Sequence, residues 1–418
     1  LLEGEAPLLP IQQWFFANKF IKQEHWNQSF LIKTNTLDLE LLQVSIAKLI
    51  AQHDAFRLRY SKKANSYYQY YANQAPQPLK TLDIRTINAK EGSEEFNIKL
   101  HQILTAWQSE FNLEDGPTYS IGYLYGYKDG SAHIHFALHH LIVDAVSWRI
   151  LVEDLSTLYS GKALGAKASS YRQWGEVITR YGKLHLKEAE YWQEVLAGYN
   201  RDNLQALSSE HSAYADFTLT AKQTTLLLSK SNRAYNTQVN DILLTALGYA
   251  LFKLTNNQSN YITLEGHGRE ELEQSIDITK TLGWFTTMYP VRLEVTDNLG
   301  ETLKNTKEHL RQIPNKGIGF GALLGYDNLP KISFNYLGQF EANTNQSWHI
   351  SNEDSGIAVN QNNQDNNIIN INGLVINGAL QFNIAAHLEE ANTNLIATTF
   401  KEKLIELIDH TVQSRSYL

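Results

Sequence analysis

Two adjacent histidines followed closely by an aspartate form the most chemically informative cluster in this sequence. His139 and His140 lead into Asp144, and the stretch reads HHLIVDAVSW. An imidazole can hold or take a proton near physiological pH, and a nearby carboxylate can fix local geometry through charge-assisted hydrogen bonds. The cluster therefore predicts a centre for proton transfer.

The residues on either side indicate how this cluster is positioned. Residues 133–138 alternate as expected of a β-strand, and the same parity carries on to His140, which predicts that its side chain points inward. After Asp144, apolar residues recur at helical spacing until Gly161. The motif is therefore predicted to lie at a strand-to-helix junction, where side chains often face a cleft.

A second candidate group is the glutamate that opens the segment EGHGRE. Glu265 follows the strand-like residues 261–264, and alternation puts it on the face opposite Ile262 and Leu264. The neighbouring glycines permit close backbone approach by a ligand. A carboxylate at a strand end can act as an acid or a base; the alternative is a solvated glutamate before a glycine-rich turn.

Other chemistries find less support in the sequence. His133 and His135 could form a metal pair, but neither cysteines nor an HExxH stretch supply further zinc ligands, so no metal site is expected. The glycine-rich residues 317–321 follow a predicted helix rather than a strand, which favours a structural turn over a dinucleotide site. The sequence contains neither a GxxxxGK[ST] nor a GxSxG motif.

Composition narrows the class of protein. The chain has 418 residues, 43% hydrophobic and 19% charged, which is typical of a globular protein with two domains. A net charge of −8 argues against a nucleic-acid partner.

The longest apolar run, 242–252, is too short for a membrane helix and predicts a buried core helix. Without cysteines or a signal-like start, we expect a cytoplasmic protein, and the sole methionine, Met288, suggests a piece of a longer polypeptide.

The order of predicted elements indicates an α/β architecture with two comparable halves. Because no Pro/Gly/Ser-rich linker divides them, we place the division near residue 178, within the mainly helical stretch 171–197. Residues 343–372, rich in Asn and Gln, predict a long surface loop or hairpin. The periodicity predicts strands near 30–32, 121–124, 214–219 and 261–264, and helices over 38–51, 239–254 and 301–313.

Taken together and in order, the motifs resemble the signatures of epimerization domains of nonribosomal peptide synthetases, within the condensation-domain superfamily. The condensation relatives usually carry glycine after the motif aspartate, where this chain has Ala145. The resemblance covers nearly the whole chain. The segments that carry it are PLLPIQQWF from Pro7, HHLIVDAVSWRILVEDL from His139, EGHGRE from Glu265, TLGWFTTMYPVRL from Thr281, PNKGIGFGALLGY from Pro314 and FNYLGQF from Phe334.

The resemblance implies both a fold and an activity. The fold would be α/β, with two chloramphenicol-acetyltransferase-like subdomains arranged as a V-shaped pseudodimer: 1–178 with the HHxxxD motif and 179–418 with EGHGRE and FNYLGQF. The active site would be a tunnel between them. The activity would be reversible L-to-D epimerization of an aminoacyl or peptidyl thioester. That substrate would be carried on the 4'-phosphopantetheine arm of a peptidyl carrier protein, in antibiotic biosynthesis.

The resemblance also implies partners. These would be an upstream peptidyl carrier protein and other domains of the same synthetase, without nucleic acid or membrane, and the excised domain is expected to be monomeric. The domain would bind no cofactor of its own.

Site roles follow from the same resemblance. His140 and Glu265 would flank the α-carbon and share the acid and base work. Tyr336 is a third candidate catalytic residue through its phenol, and Asn335 is a candidate for positioning the substrate. The alternative for these last two is that they satisfy buried backbone groups.

The remaining motif residues are expected to act on the structure. Asp144 would hold the motif in shape through a salt bridge to an arginine. Ser147 is expected to cap or brace the helix, Trp148 to pack in the core, and His139 to orient the loop.

Two rival functions remain open. One is peptide-bond formation, with His140 orienting an amine nucleophile toward a donor thioester. The other is a catalytically silent docking module on the same scaffold.

Overall fold

The computed structural model describes residues 1–340 and 347–414. Residues 1–184 form β1 (Gly4–Ala6), α1 (Pro10–Ala17), β2 (Asn27–Asn35), α2 (Leu39–Gln52), β3 (Leu58–Lys63), β4 (Ser66–Tyr71), β5 (Lys80–Asp83), α3 (Glu94–Ala106), β6 (Tyr119–Tyr125), β7 (Ser131–His139), α4 (Ala145–Tyr159) and α5 (Tyr171–Leu184). Residues 188–340 form α6 (Glu188–Val195), α7 (Arg201–Gln205), β8 (Ser208–Thr218), α8 (Ala221–Leu228), α9 (Val239–Thr255), β9 (Ser259–Gly266), β10 (Thr287–Glu294), α10 (Leu299–Arg311), α11 (Ile318–Leu324) and β11 (Ile332–Phe340). The last elements are β12 (His349–Ser351), β13 (Ile369–Ile376), β14 (Ala379–Leu388) and α12 (Glu390–Gln413).

The chain divides into two compact units that are interleaved along the sequence. Unit 1 comprises Leu1–Tyr181, Arg269–Thr286 and the described part of Ala342–Asp365, and unit 2 comprises the rest. The predicted subdomains 1–178 and 179–418 are each continuous, so they differ from these units by residues 179–181 and by the two later segments of unit 1. The segment that begins at Arg269 belongs to unit 1 because Arg269 forms an ion pair with Asp144. The segment that ends at Asp365 belongs to unit 1 because it contains β12, which pairs with β2. The subdomain boundary itself stays a prediction.

The main sheet of unit 1 places the histidine motif at the end of its central strand. Among the described residues its strand order is β12-β2-β7-β6-β5, and a smaller sheet has the order β1-β4-β3. Every residue of β7 is buried. The strands predicted near 30–32, 121–124 and 133–138 are confirmed as β2, β6 and β7.

The strand ends one residue earlier than its parity predicts. His140 begins a short 3₁₀ turn, His140–Ile142, whose closing contact is the Val143 N–H donating to the His140 carbonyl. The prediction that the strand pleat carries on to His140 is therefore wrong. Periodicity cannot detect this break, because the turn is set by a local backbone hydrogen bond.

Two helices of unit 1, α2 and α4, begin at aspartates that cap them. The Asp38 side chain accepts from the Leu41 N–H at the start of α2, and the Asp144 side chain accepts from the Ser147 N–H at the start of α4. These contacts satisfy N–H groups that have no partner within the helix. The predicted helix over 38–51 and the predicted strand-to-helix junction at Asp144 are confirmed.

Residues 347–365 contribute to unit 1 rather than forming only a surface loop. In β12, Ile350 pairs with Ile32 of β2. The Asn363 side chain is buried, accepts from the Lys22 N–H and donates to the Lys22 and His25 carbonyls. Residues 352–368 form neither helix nor strand and are mostly exposed or part-buried, so the predicted surface loop is present, but the prediction included neither β12 nor the contacts of Asn363. Residues 343–346 lie outside the described residues.

Unit 2 is built on a mixed sheet packed against apolar helices. Among the described residues its strand order is β10-β9-β11-β13-β14-β8, with β11 parallel to both β9 and β13. The apolar run 242–252 lies in α9 and is largely buried, which confirms the predicted core helix. In the part of the chain that is described, helices that combine the length and apolar character needed to cross a bilayer are absent.

Gly373 of β13 supplies a test of this packing. A Cβ at this position would overlap the ring of Phe382, which is fully buried and in contact with the rings of Phe217, Phe334 and Phe400. Because that ring has little room to move, we expect Gly373→Ala to lower the free energy of unfolding by about 1–3 kcal/mol, measured by urea denaturation.

Gly165→Ala is the matched control, because a Cβ there meets nothing within 4 Å. We expect it to change stability by less than about 0.5 kcal/mol. Equal effects of the two substitutions would contradict the packing argument.

Candidate functional site

His139 is held as a neutral structural residue. It is fully buried, its Nε2 lies 2.6 Å from the Gln23 carbonyl, and its Nδ1 accepts from the Leu141 N–H at 3.1 Å. A carbonyl can only accept, so the proton is on Nε2. Burial lowers the pKa of His139 to about 3. Both ring nitrogens are thus used to shape the turn that follows β7.

His140 has a short hydrogen bond at only one nitrogen of its ring. Its Nδ1 lies 2.7 Å from the Val143 carbonyl, so Nδ1 carries a proton and the neutral ring has its lone pair on Nε2. The part-buried ring stacks on Trp284, with 4.0 Å between ring centroids. Burial lowers the pKa of His140, although the Val143 carbonyl and the Asp144 carboxylate act to raise it. The arrangement suits a general base at neutral pH.

Asp144 links the histidine turn, α4 and the segment 269–286. Its Oδ1 accepts from the Ser147 N–H at 2.9 Å and pairs with Arg269 Nη2 at 3.0 Å, while Oδ2 accepts from the Phe285 N–H at 3.1 Å. Both partners of the ion pair are almost fully buried. The salt bridge expected for Asp144 is therefore present, and every contact fixes the carboxylate rather than presenting it to a substrate.

Arg269 is the residue whose role the sequence did not reveal, although it lies in the EGHGRE segment. Besides its contact with Asp144, its Nη1 donates to the carbonyls of Ile278 and Thr281 at 2.9 and 2.6 Å. Its guanidinium also lies over the Phe285 ring, 4.1 Å from the centroid. In the sequence, nothing distinguishes this arginine from the charged residues beside it, so these contacts could not be predicted.

Ser147 and Trp148 brace the start of α4. Ser147 forms a reciprocal cap with Asp144 and its hydroxyl accepts from Arg269 at 3.0 Å. Trp148 is only part-buried; it stacks on Phe30 at 4.8 Å and its Nε1 donates to Gln28 Oε1 at 2.8 Å. Trp148 thus combines packing with a polar contact that its expected core role did not include.

Glu265 and Asn335 lie on neighbouring strands of the unit 2 sheet. Leu264 of β9 pairs with Phe334 of β11, and each candidate residue directly follows one of that pair. In a parallel pair, residues at matching positions project to the same face, so Glu265 and Asn335 share a face. Glu265 is part-buried, and its charge adds to burial in raising the pKa of Tyr326.

Tyr336 lies on the other face of β11 by regular alternation. It pairs with Gly373 of β13, and burial raises the pKa of its phenol. The pleat therefore groups Asn335, rather than Tyr336, with Glu265.

Gly268, at φ 74°, adopts a conformation that favours glycine, which accounts for one glycine of the EGHGRE segment.

The structure gathers the candidate residues into two groups. His139, His140, Asp144, Ser147 and Trp148 lie together in unit 1. The others, Glu265, Asn335 and Tyr336, belong to unit 2. Their roles in catalysis stay predictions.

The two histidines considered as a metal pair have separate partners. His133 Nε2 lies 2.7 Å from Glu353 Oε2, and His135 Nε2 lies 2.9 Å from the Ser355 carbonyl. Over residues 1–340 and 347–414, clusters of three or more His, Cys, Asp or Glu residues able to hold a metal ion are not found. Both histidines instead bind residues 353–355 to β7.

Comparison with known proteins gives a consistent family. A family model described as "Condensation domain" matches residues 2–418. The chain is 40% identical, over 98% of its length, to N-(5-amino-5-carboxypentanoyl)-L-cysteinyl-D-valine synthase of Amycolatopsis lactamdurans. It spans 11% of the length of that synthase.

The solved structures similar to this chain include an epimerization domain and a condensation domain. The epimerization domain from the third module of tyrocidine synthetase B is 32% identical, with a TM-score of 0.86, and the match covers 99% of this chain and 98% of that one. The condensation domain of the Monacolin K polyketide synthase is 14% identical, with a TM-score of 0.77 and coverage of 99% and 98%. The predicted α/β fold class is confirmed; the V-shaped arrangement stays a prediction.

The buried ion pair gives a stability prediction. Asp144→Asn keeps the shape of the side chain but leaves the Arg269 charge buried without its counter-ion. We expect it to lower the free energy of unfolding by about 3–5 kcal/mol, measured by urea denaturation with tryptophan fluorescence.

The matched control is the surface pair Arg180–Glu273, whose side chains are 48% and 36% exposed. We expect Arg180→Ala to cost less than about 1 kcal/mol. If Asp144→Asn costs no more than Arg180→Ala, the buried pair does not hold this region together.

His139 gives a pH-dependence prediction. The unfolded chain protonates this residue below its ordinary pKa of 6.5, whereas the folded chain keeps it neutral down to about pH 3. Its contribution to stability is therefore complete above about pH 6.5 and is lost as the pH falls toward 3. We expect His139→Gln to have a lower free energy of unfolding than the wild type at pH 7. Between pH 6 and 4, its free energy of unfolding should fall with decreasing pH less steeply than that of the wild type, and the two slopes should differ by about 1.4 kcal/mol per pH unit.

The measurement is urea denaturation at several pH values. His211→Gln, at an exposed position of β8, is the control and should keep the wild-type slope. An unchanged slope in His139→Gln would mean that another group causes the acid sensitivity.

Proposed function

This chain belongs to the condensation-domain family, and on that basis we propose that it inverts the α-carbon of an aminoacyl or peptidyl thioester. The reaction is L to D and reversible, by removal and return of the α-proton. The observation that carries the proposal is the 32% identity to a solved epimerization domain, against 14% for a solved condensation domain of the same fold.

A relative supports the same reaction class. The Amycolatopsis synthase is 40% identical over nearly the whole of this chain, and the peptide in its name contains D-valine. Inversion at an α-carbon is one way for a peptide synthase to obtain a D-residue. Because this chain matches only 11% of that synthase, the comparison supports a stereochemical role for the matched part without fixing its substrate.

The chemistry needs one group to remove the α-proton and another to protonate the opposite face of the resulting enolate-like carbon. We assign the first group to His140 in one direction of the reaction. Its neutral ring carries a proton on Nδ1, bound to the Val143 carbonyl, and a lone pair on Nε2. The lowered pKa of His140 keeps this base form populated at neutral pH.

We assign the second proton-transfer group to Glu265, with the roles exchanged for the reverse direction. Asn335, on the same face as Glu265, is proposed to position the substrate. Tyr336 lies on the other face of β11, so this proposal gives its phenol no part in the proton transfer at Glu265. The developing oxyanion also needs a hydrogen-bond donor, which protonated His140 or a backbone N–H can supply.

The proposed substrate enters on another protein. The domain itself is proposed to bind no cofactor, and the thioester is carried on the 4'-phosphopantetheine arm of an upstream peptidyl carrier protein. Its other partners would be further domains of the same synthetase. As an isolated domain it is proposed to be a monomer, without nucleic-acid or membrane partners.

Peptide-bond formation is the second candidate, favoured by the description of the matching family model. One experiment separates the two. A carrier protein loaded with an L-aminoacyl phosphopantetheine is incubated with the chain in deuterated water, with and without a loaded acceptor carrier. Deuterium at the α-carbon together with growth of the D-epimer supports epimerization; a dipeptide without deuterium supports condensation. Absence of both, with several aminoacyl and peptidyl thioesters, supports a docking module.

Substitution of the two principal residues tests their assignment. We expect His140→Ala and Glu265→Gln each to lower the rate of α-proton exchange by about 10²- to 10⁴-fold, because each removes an acid–base group. The measurement is deuterium incorporation by mass spectrometry, with circular dichroism to confirm folding.

Matched controls lie on exposed positions of β8. His211→Ala and Glu210→Gln make the same chemical changes away from the proposed site and should keep the wild-type rate. Wild-type exchange in both His140→Ala and Glu265→Gln would overturn the assignment.

A further inference from the structure

Gln28 is the polar side chain that faces the reactive nitrogen of His140. It lies on β2, next to the start of the histidine turn, and its Nε2 is 3.4 Å from His140 Nε2. The backbone brings the two residues together, since the His140 N–H donates to the Trp26 carbonyl at 2.8 Å. The separation in sequence is 112 residues, so the pair arises from strand pairing rather than from a local motif.

The orientation of the Gln28 amide is fixed by Trp148. The indole N–H can only donate a hydrogen bond, so the amide atom 2.8 Å from it must be the oxygen. The planar amide then turns its NH₂ group toward His140. Trp148 is itself held by its stacking on Phe30. The amide therefore has one preferred orientation, and that orientation presents a donor to His140.

A donor at this place has a definite effect on the imidazole. With Nδ1 bound to the Val143 carbonyl, the neutral ring accepts at Nε2, and the Gln28 N–H meets its lone pair. In the imidazolium, Nε2 also carries a proton, so two donors would face each other. The contact thus favours the neutral ring. At 3.4 Å it is long for a hydrogen bond, so a substrate C–H can displace it at little cost.

We propose that Gln28, oriented by Trp148, is a positioning residue that keeps His140 in the neutral form with its Nε2 lone pair directed for proton abstraction. This inference rests on the proposed function for the role of His140 in catalysis, but the contact itself lies wholly within unit 1.

Other titratable groups near His140 act in the same region and must be separated from Gln28. His139 on β7 is neutral, Asp144 at the start of α4 favours the imidazolium, and Arg269 on the segment 269–286 is paired with Asp144. Trp284, from the same segment, covers one face of the ring and carries no charge. Gln28 is the neutral partner at Nε2, so isosteric changes there leave these charges in place.

Two variants change the contact with little change in shape. In Gln28→Glu, a carboxylate replaces the amide and accepts from a protonated Nε2, which stabilises the imidazolium. In Trp148→Phe, the ring can still stack on Phe30, but the amide is released and can turn its oxygen toward Nε2. Both variants should raise the pKa of His140, and Gln28→Glu should raise it by more than about one unit.

The first readout does not depend on activity. The chain, which contains 14 histidines, is labelled with ¹⁵N-histidine, and the His140 signals are assigned by comparison with His140→Ala. A pH titration by NMR gives the pKa of His140 in the wild type, Gln28→Glu, Trp148→Phe and the control Gln381→Glu. Gln381→Glu makes the same charge change at an exposed position of β14.

The second readout is the pH profile of α-proton exchange. We expect the acid limb of the profile to move upward by the same amount as the NMR pKa. Below that limb, Gln28→Glu should lose about tenfold in exchange rate for each unit by which the pKa rises, and the loss should shrink as the pH rises. A merely structural role would lower exchange by the same factor at every pH. The upward shift in both variants, absent from Gln381→Glu, supports the inference.

An unchanged His140 pKa in both Gln28→Glu and Trp148→Phe would overturn the proposal that Gln28 is a positioning residue for His140. If the wild-type chain shows no α-proton exchange, the proposed function fails, while the NMR titration still decides whether Gln28 controls the protonation of His140.

Discussion

The buried ion pair between Asp144 and Arg269 is the contact on which the geometry of the histidine turn depends. The carboxylate caps α4 and accepts from the backbone of residue 285, while the guanidinium binds the carbonyls of Ile278 and Thr281. The same pair therefore fixes the helix that follows the turn and the segment that places Trp284 on His140. Because a buried charge without its partner is strongly unfavourable, these parts can only be arranged together.

Within that frame, two adjacent histidines acquire different properties from the same cause. Burial lowers the pKa of both, but His139 has hydrogen bonds at both nitrogens of the ring, at 2.6 and 3.1 Å, whereas His140 has a short one only at Nδ1. The neutral form of His139 is used for shape, and that of His140 leaves the lone pair of Nε2 with only the long contact to Gln28. Residue type alone does not separate them; the hydrogen-bond partners do.

The sequence predicted the features that depend on local patterns. Alternation and helical spacing located β2, β7, α2 and α9, whereas the ionic contact of Asp144 was expected from the family resemblance. The sequence did not predict partners set by long-range pairing: Arg269 is 125 residues from Asp144, and Gln28 is 112 residues from His140. The end of β7 and the role of residues 347–365 were also missed. A single backbone hydrogen bond and buried amide side chains leave no mark on hydrophobic periodicity.

The pairing of β12 with β2 has a consequence for how the protein is made and re-engineered. During synthesis from the N-terminus, β2 emerges more than 300 residues before its partner, so the nascent chain carries an open sheet edge, a natural target for chaperones. The pieces of unit 1 are likewise scattered over the gene. Recombination with a relative at a single junction near residue 181 would take Asp144 and Arg269, and likewise β2 and β12, from different parents. The contacts of unit 1 are inherited together only when all three of its segments come from one parent.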